Sequence, residues 1–152
     1  MEAAGVTSGA FYSHFHSKAD LFAALVTHEL ENSLKMFTDA PADQEADSWI
    51  AHQLRRYLTP KHVNSPETGC SLPSLSAEIA RADQVAKENY EVAIKRIHTV
   101  WAQRLGDENA AWAVISQLVG AILLARAMAS ERAGNEVLDA SKDFLQTVLR
   151  PA

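Results

Sequence analysis

The stretch "GVTSGAFYSHFHSK", residues 5–18, decides how this chain reads. Gly5 can take the turn conformation that side chains resist. Thr7 is placed to cap a short helix over residues 8–14 by accepting a backbone N–H of its first turn. Gly9 falls in that turn and has no side chain to hold off an approaching surface. Phe11 and Phe15 are four apart and share an inward face, which leaves Ser8, Ala10, Tyr12, Ser13 and His14 to project elsewhere. A short helix entered through a glycine turn, and small at its N-terminal end, suits the recognition helix of a helix-turn-helix. Tyr12 and His14 can hydrogen-bond phosphates, and Lys18 adds a charge where free backbone donors already favour an anion. The same spacing fits a tight helix-turn-helix corner with a packed aromatic pair and surface histidines, so spacing alone leaves both readings open.

Outward from this stretch the pattern is helical. Ser17 reads as an N-cap, with Asp20 completing a capping box. Phe22, Val26, Leu30, Leu34 and Phe37 follow at spacings of four and three as one apolar stripe, widened by Leu21 and Leu25. Residues 39–48, "DAPADQEADS", read as a connection. A short helix then turns Trp49, Ile50, Leu54, Tyr57 and Leu58 inward, and residues 59–69, with two prolines and a glycine, read as a longer loop. Leu72, Leu75, Ile79 and Ala82 predict another short helix, with Pro73 tolerated in its first turn. Asp83 or a neighbour opens a long helix faced by Tyr90, Ile94, Ile97, Trp101 and Leu105, and Gly106 stops it. Asp107 caps the next, very apolar helix, expected to end near Ser130. Gly134 and Asn135 are expected to break the chain again before a final amphipathic helix through Val137, Leu138, Ser141, Phe144, Leu145, Val148 and Leu149, ended by Pro151. No segment alternates convincingly at period two, which makes the chain all-α.

Composition bounds the function. The 152 residues are 47% hydrophobic and 22% charged, ordinary for a globular protein with a sizeable core. A formal charge of −5 excludes a basic nucleic-acid binder overall, though not a local contact surface. The single cysteine, Cys70, excludes an intrachain disulfide and a cysteine zinc site. It reads as a small buried residue, since nothing basic adjoins it. A cytoplasmic compartment is expected, with no secretion signal at the N-terminus. Residues 110–129 are apolar but are interrupted by Ser116, Gln117 and Arg126, and their cleanest part falls short of the ~20 residues of a bilayer span. A helix buried on most sides is expected, with no membrane partner.

"AAGVTSGAFYSHFHSKADLF", residues 3–22, closely resembles the signature of the tetracycline-repressor (TetR) family of bacterial transcriptional regulators. "GCSLPSLSAEIAR", residues 69–81, resembles more weakly a segment of many members' ligand-binding domains. The resemblance implies a dimeric, all-helical regulator that binds a palindromic double-stranded DNA operator through its N-terminal unit. It implies a larger C-terminal domain that takes a small-molecule effector and dimerises through its last two helices. On the same resemblance Thr7, Ser8 and Ala10 fall where the family approaches bases. Tyr12, His14 and Lys18 fall where it touches DNA, largely the backbone, and Phe11 and Phe15 match core positions. Family members carry a first helix and most of a second before the recognition helix. Only "MEAAG" stands in that place, and residues 1–38 hold four acidic side chains against two lysines. The expected architecture is therefore an incomplete helix-turn-helix with its connecting helix over residues 1–38, followed by a helical ligand-binding and dimerisation bundle over residues 39–152.

Within the larger domain Trp49, His52, Tyr57, Tyr90, His98, Trp101 and Trp112 are the candidates for an aromatic-lined effector cavity, and each also fits a plain core position. Gly120, Ala121 and Leu124, with Leu138, Phe144, Leu145 and Leu149 of the final helix, are the candidates for a two-fold four-helix interface. No nucleophile–base pair and no phosphate loop stand out. His14 and His16 are two apart and diverge on a helix. No catalytic residue, metal site or cofactor is therefore expected, and the chain does not read as an enzyme. The expected function is ligand-responsive transcriptional regulation, most simply repression, by a homodimer. The other reading is a dimeric small-molecule-binding or protein-interaction module that has lost DNA binding through the shortened front.

Overall fold

Short polar residues ahead of five of the described helices set where they begin. A computed structural model describes residues 17–39 and 45–149. Ser17 accepts a hydrogen bond from Asp20 N–H at 3.0 Å and opens α1, Lys18–Thr38. α2, Ala46–Tyr57, begins inside the segment expected to be a connection. Thr59 accepts from His62 N–H at 3.1 Å and opens α3, Pro60–Asn64. α4 spans Leu72–Arg81, with Pro73 in its first turn. Asp83 caps α5, Gln84–Leu105, which ends at Gly106 in the left-handed conformation, φ 69°. Asp107 accepts from both Asn109 N–H and Ala110 N–H to open α6, Glu108–Ala127. Ser130 caps α7, Glu131–Val148. Among the described residues there is no strand, and the chain is all-α as expected.

α6 is the central element. It packs against α5 on one side and α7 on the other, while α1 lies along α5. α3 and α4 also rest on α6. Ala111, Val114, Ile115, Leu118, Ala121, Ile122 and Ala125, at spacings of three and four, form its buried stripe. α6 is long and apolar enough to cross a membrane by length and composition, but this stripe is the core of the bundle. From α1 the core takes Val26, Leu30 and Phe37; from α2, Trp49, Ile50, Leu54 and Tyr57; from α5, Ile97 and Trp101.

The structure corrects four expectations. Residues 59–69 are not one loop, because Thr59 and Pro60 supply a cap and an N1 proline and nucleate α3 there. α6 stops at Ala127 rather than near Ser130, because Ser130 caps the next helix. Gly134 and Asn135 do not break the chain but lie inside α7, at its fourth and fifth residues. Gly134 is buried there, and a Cβ on it would stand 3.3 Å from the Ala125 carbonyl oxygen, so a glycine is what lets α7 approach α6. Leu21 and Leu25 do not widen the buried stripe of α1; they are 37% and 51% exposed.

Candidate functional site

The most connected polar cluster lies where α1, α3 and the turn before α4 meet. α3 is a single turn, and it carries His62 at its third position, buried to 6% exposure. Cys70 N–H donates to His62 Nε2 at 2.9 Å, so that nitrogen is unprotonated. The ring proton is therefore on Nδ1, which donates to the Tyr57 carbonyl oxygen at 2.8 Å. Tyr57 also packs its ring edge against the imidazole, with centroids 4.5 Å apart. Arg126 of α6 donates to the His62 carbonyl at 3.0 Å and to Ser74 Oγ at 3.3 Å, which ties α3 to α4.

The turn then reaches α1. The Cys70 thiol and Ser71 N–H both donate to Ser33 Oγ, at 3.5 and 3.3 Å. Ser71 Oγ donates to the Glu29 carbonyl at 3.2 Å, so the hydroxyl of Ser33, 2.9 Å away, donates to Ser71. Ser33 is 1% exposed, and this set of partners offsets the cost of burying its hydroxyl in an apolar stripe.

Burial sets the electrostatics. It pushes the Tyr57 phenol well above its ordinary value, with the neighbouring Cys70 thiol adding to the effect. It raises the Cys70 thiol against the hydrogen bond to Ser33, so Cys70 is held as a thiol. It lowers His62, and the Arg126 charge lowers it further against the pull of the Tyr57 carbonyl. The Tyr57 hydroxyl is buried beside Cys70 without a well-formed hydrogen bond, as is Gln53 Nε2 elsewhere on α2. A cleft of about 410 Å³ opens beside this cluster, lined by Met36, Arg56, Thr59, Lys61, His62, Thr68 and Gly69.

The predicted aromatic residues are divided by the fold. Trp49 and Trp101 pack edge to face at 4.9 Å, both fully buried, and Trp101 Nε1–H donates to the Phe37 carbonyl at 3.2 Å. Tyr57 packs on Phe37 at 4.7 Å. These three form one continuous core. Tyr90 packs half-buried against the same core and shares a 2.8 Å hydrogen bond with Ser76. His98 stacks on Trp112 at 4.2 Å near the surface, and its Nε2–H donates to the Glu108 carbonyl at 2.9 Å. His52 is half-buried on α2. The seven do not converge on one cavity.

Of the candidate dimer residues, Ala121, Leu138 and Leu145 are buried within the chain between α6 and its neighbours. Leu124 and Phe144 are 55% and 57% exposed. Gly120 and Leu149 are half-buried. The candidate DNA contacts Thr7, Ser8, Ala10, Tyr12 and His14 lie outside the described residues, and Lys18 is the first residue of α1. Among the described residues no group of histidine, cysteine and carboxylate side chains is arranged to hold a metal ion.

His62 is a site residue that the sequence reading lacks, because two prolines and a glycine make residues 59–69 read as loop. Thr59–Pro60, a cap followed by an N1 proline, is the signal that would have placed it on a helix.

The described residues are all-helical, and the sequence ahead of them reads as the recognition half of a helix-turn-helix. Residues 1–25 match the family model for bacterial regulatory proteins, tetR family, a match that ends within α1. The match covers the first 25 of 152 residues and agrees with the resemblance to TetR-family regulators read from residues 3–22. Comparison with the curated proteins gives no match.

Proposed function

We propose that this protein is a ligand-responsive transcriptional repressor that acts in the cytoplasm as a homodimer on a palindromic operator, with no catalytic activity. The TetR-family match over residues 1–25 carries the reading. Thr7, Ser8 and Ala10 approach base edges, and Tyr12, His14 and Lys18 hold the phosphate backbone. Gly120 and Leu124, four apart on α6, and Phe144 and Val148, four apart on α7, supply an apolar face for the second copy. Leu124, Phe144 and Val148 are each more than half exposed, which supports an outward role for them.

The effector would enter at the cleft beside His62. Lys61 brings a cation to its rim, and Arg56 brings a second that is paired with Asp39 at 3.4 Å. Tyr57 packs against the His62 ring that lines it. Effector binding regulates DNA affinity by favouring one of two arrangements of the dimer, since the two recognition helices must stand about 34–36 Å apart to meet successive major grooves.

The test is a gel shift with the intergenic DNA beside the gene, using the protein with any in-frame upstream coding sequence included. A specific shift at low salt supports the regulator. Its absence removes that support and favours a binding module without DNA affinity.

A further inference from the structure

His62 joins three elements through one ring. Nε2 accepts from the Cys70 backbone, Nδ1–H donates to the Tyr57 carbonyl, and the His62 carbonyl takes the guanidinium of Arg126. One ring nitrogen must donate and the other must accept, a pattern open only to the neutral imidazole. The turn that it grips continues through Ser71 and Cys70 to Ser33 and Glu29 on α1, the helix that leads out of the TetR-family segment.

We propose that His62 is a proton-operated latch: the neutral ring holds the Gly69–Ser71 turn to α3 and, through Ser33, to α1, and uptake of a proton releases it. The incoming proton takes the lone pair of Nε2, the pair that accepts the Cys70 N–H. Nε2–H then points at the Cys70 N–H, so two donors face each other and a buried backbone donor loses its acceptor.

The charged and titratable groups around the ring offer the imidazolium little compensation. α2 presents the Tyr57 phenol, the turn presents the Cys70 thiol, and α6 presents the Arg126 cation. Arg56 and Lys61 share the cleft that His62 lines. Glu29, Lys35 and Glu67 line the adjoining groove rather than this one, and Glu131 of α7 lines a cleft on the other side, which it shares with Arg126. No carboxylate bonds to His62 among the described residues. Burial and the Arg126 charge, which lower the ring's affinity for a proton, agree with the geometry.

The folded state thus prefers the neutral ring, and the unfolded chain takes up the proton first. The contribution of His62 to stability is complete above about pH 6.5, the ordinary histidine value, and is lost as pH falls from there through the lower folded value. The proposal rests on the regulator reading only for its biological use, and its test needs no DNA. A flat result leaves the regulator standing, and a failed gel shift leaves the latch standing.

The experiment compares melting temperatures of the full chain and of His62→Gln between about pH 8 and about pH 5, across the titration of an ordinary histidine. We expect the wild type to lose a few degrees more than the variant on acidification. Parallel curves overturn the latch. Imidazole ¹⁵N spectra of the wild type test it independently of how the variant folds. We expect the Nδ1–H form, a midpoint below about 6.5, and Cys70 amide exchange that speeds up at least about tenfold, beyond its intrinsic pH dependence, as the ring titrates. An Nε2–H ring, or a Cys70 amide indifferent to the titration, overturns it.

Discussion

The imidazole of His62 stands where a side chain on residue 69 would begin. A Cβ built on Gly69 overlaps His62 Cδ2, lies 2.9 Å from Nε2 and 3.3 Å from Arg126 Nη2. The backbone there is not in the left-handed region, so the demand for glycine is one of space. The same ring fixes Cys70, whose thiol and the following N–H then reach Ser33. One absent side chain therefore lets α3 seat against the turn, and the turn against α1.

Gly69→Ala should destabilise the fold by about 1–3 kcal/mol, the usual cost of forcing a methyl into a filled site. Both possible escapes, rotation of His62 and retreat of Arg126, break hydrogen bonds that α3 depends on. Urea unfolding followed by circular dichroism measures it. A variant as stable as the wild type would mean that the ring moves freely and that the contact constrains nothing.

Asp107→Ala should cost about 1 kcal/mol. Its carboxylate accepts two of the first N–H groups of α6, at 2.8 and 3.0 Å, directly after the left-handed Gly106. Because α6 is central, its fraying spreads to α5 and α7, and the loss should appear as one cooperative shift in the unfolding midpoint. Asp107→Asn, which keeps a side-chain acceptor, should restore most of it. Equal losses in the two variants would show that charge near the helix start, rather than capping, carries the effect.

Legibility followed the range of the interaction. Ser17, Asp83 and Asp107 were readable as caps because a cap acts within three residues of itself. Gly106 was readable because a left-handed residue after a periodic run is a local event. α3 was not, since five residues are too few to show a period. Gly134 reads as a break because its role is set by Ala125, nine positions away on another helix, where close approach outweighs its poor helix propensity. The His62 cluster joins residues 5 to 64 positions apart, and no sequence pattern announces that Ser33 of α1 will meet the turn before α4. The aromatic residues showed the converse. Their periodicity marks core for Trp49, Tyr57 and Trp101 but not for Trp112, which is 39% exposed, and it does not separate a cavity wall from plain packing.

Gly120→Ala and Gly134→Ala should diverge. Nothing lies within 4 Å of a Cβ at Gly120, so alanine there gains helix propensity worth about 1 kcal/mol within the single chain. At Gly134 the same gain meets a backbone carbonyl of α6 at 3.3 Å, which can yield only if the two helices separate slightly. We expect a raised unfolding midpoint for the first and an unchanged or lowered one for the second, measured in dilute protein so that association does not intervene. A clear rise for Gly134→Ala would show that α7 has room to move away from α6.

The proposed dimer face is tested most directly by charge. Leu124 on α6 and Phe144 on α7 are more than half exposed in the single chain, so glutamate at either disturbs little of the core. In a two-fold interface each substitution is present twice, and it places carboxylates in an apolar contact without partners. The wild type should sediment near twice 16.6 kDa. Leu124→Glu and Phe144→Glu should each sediment near the single mass with unchanged helical circular dichroism. Leu123→Glu, one position round α6 and similarly exposed at 51%, tests which side of the helix meets the partner. If Leu123→Glu alone yields the single mass, the contact turns about 100° around α6. A wild type that sediments as one chain would remove the interface altogether.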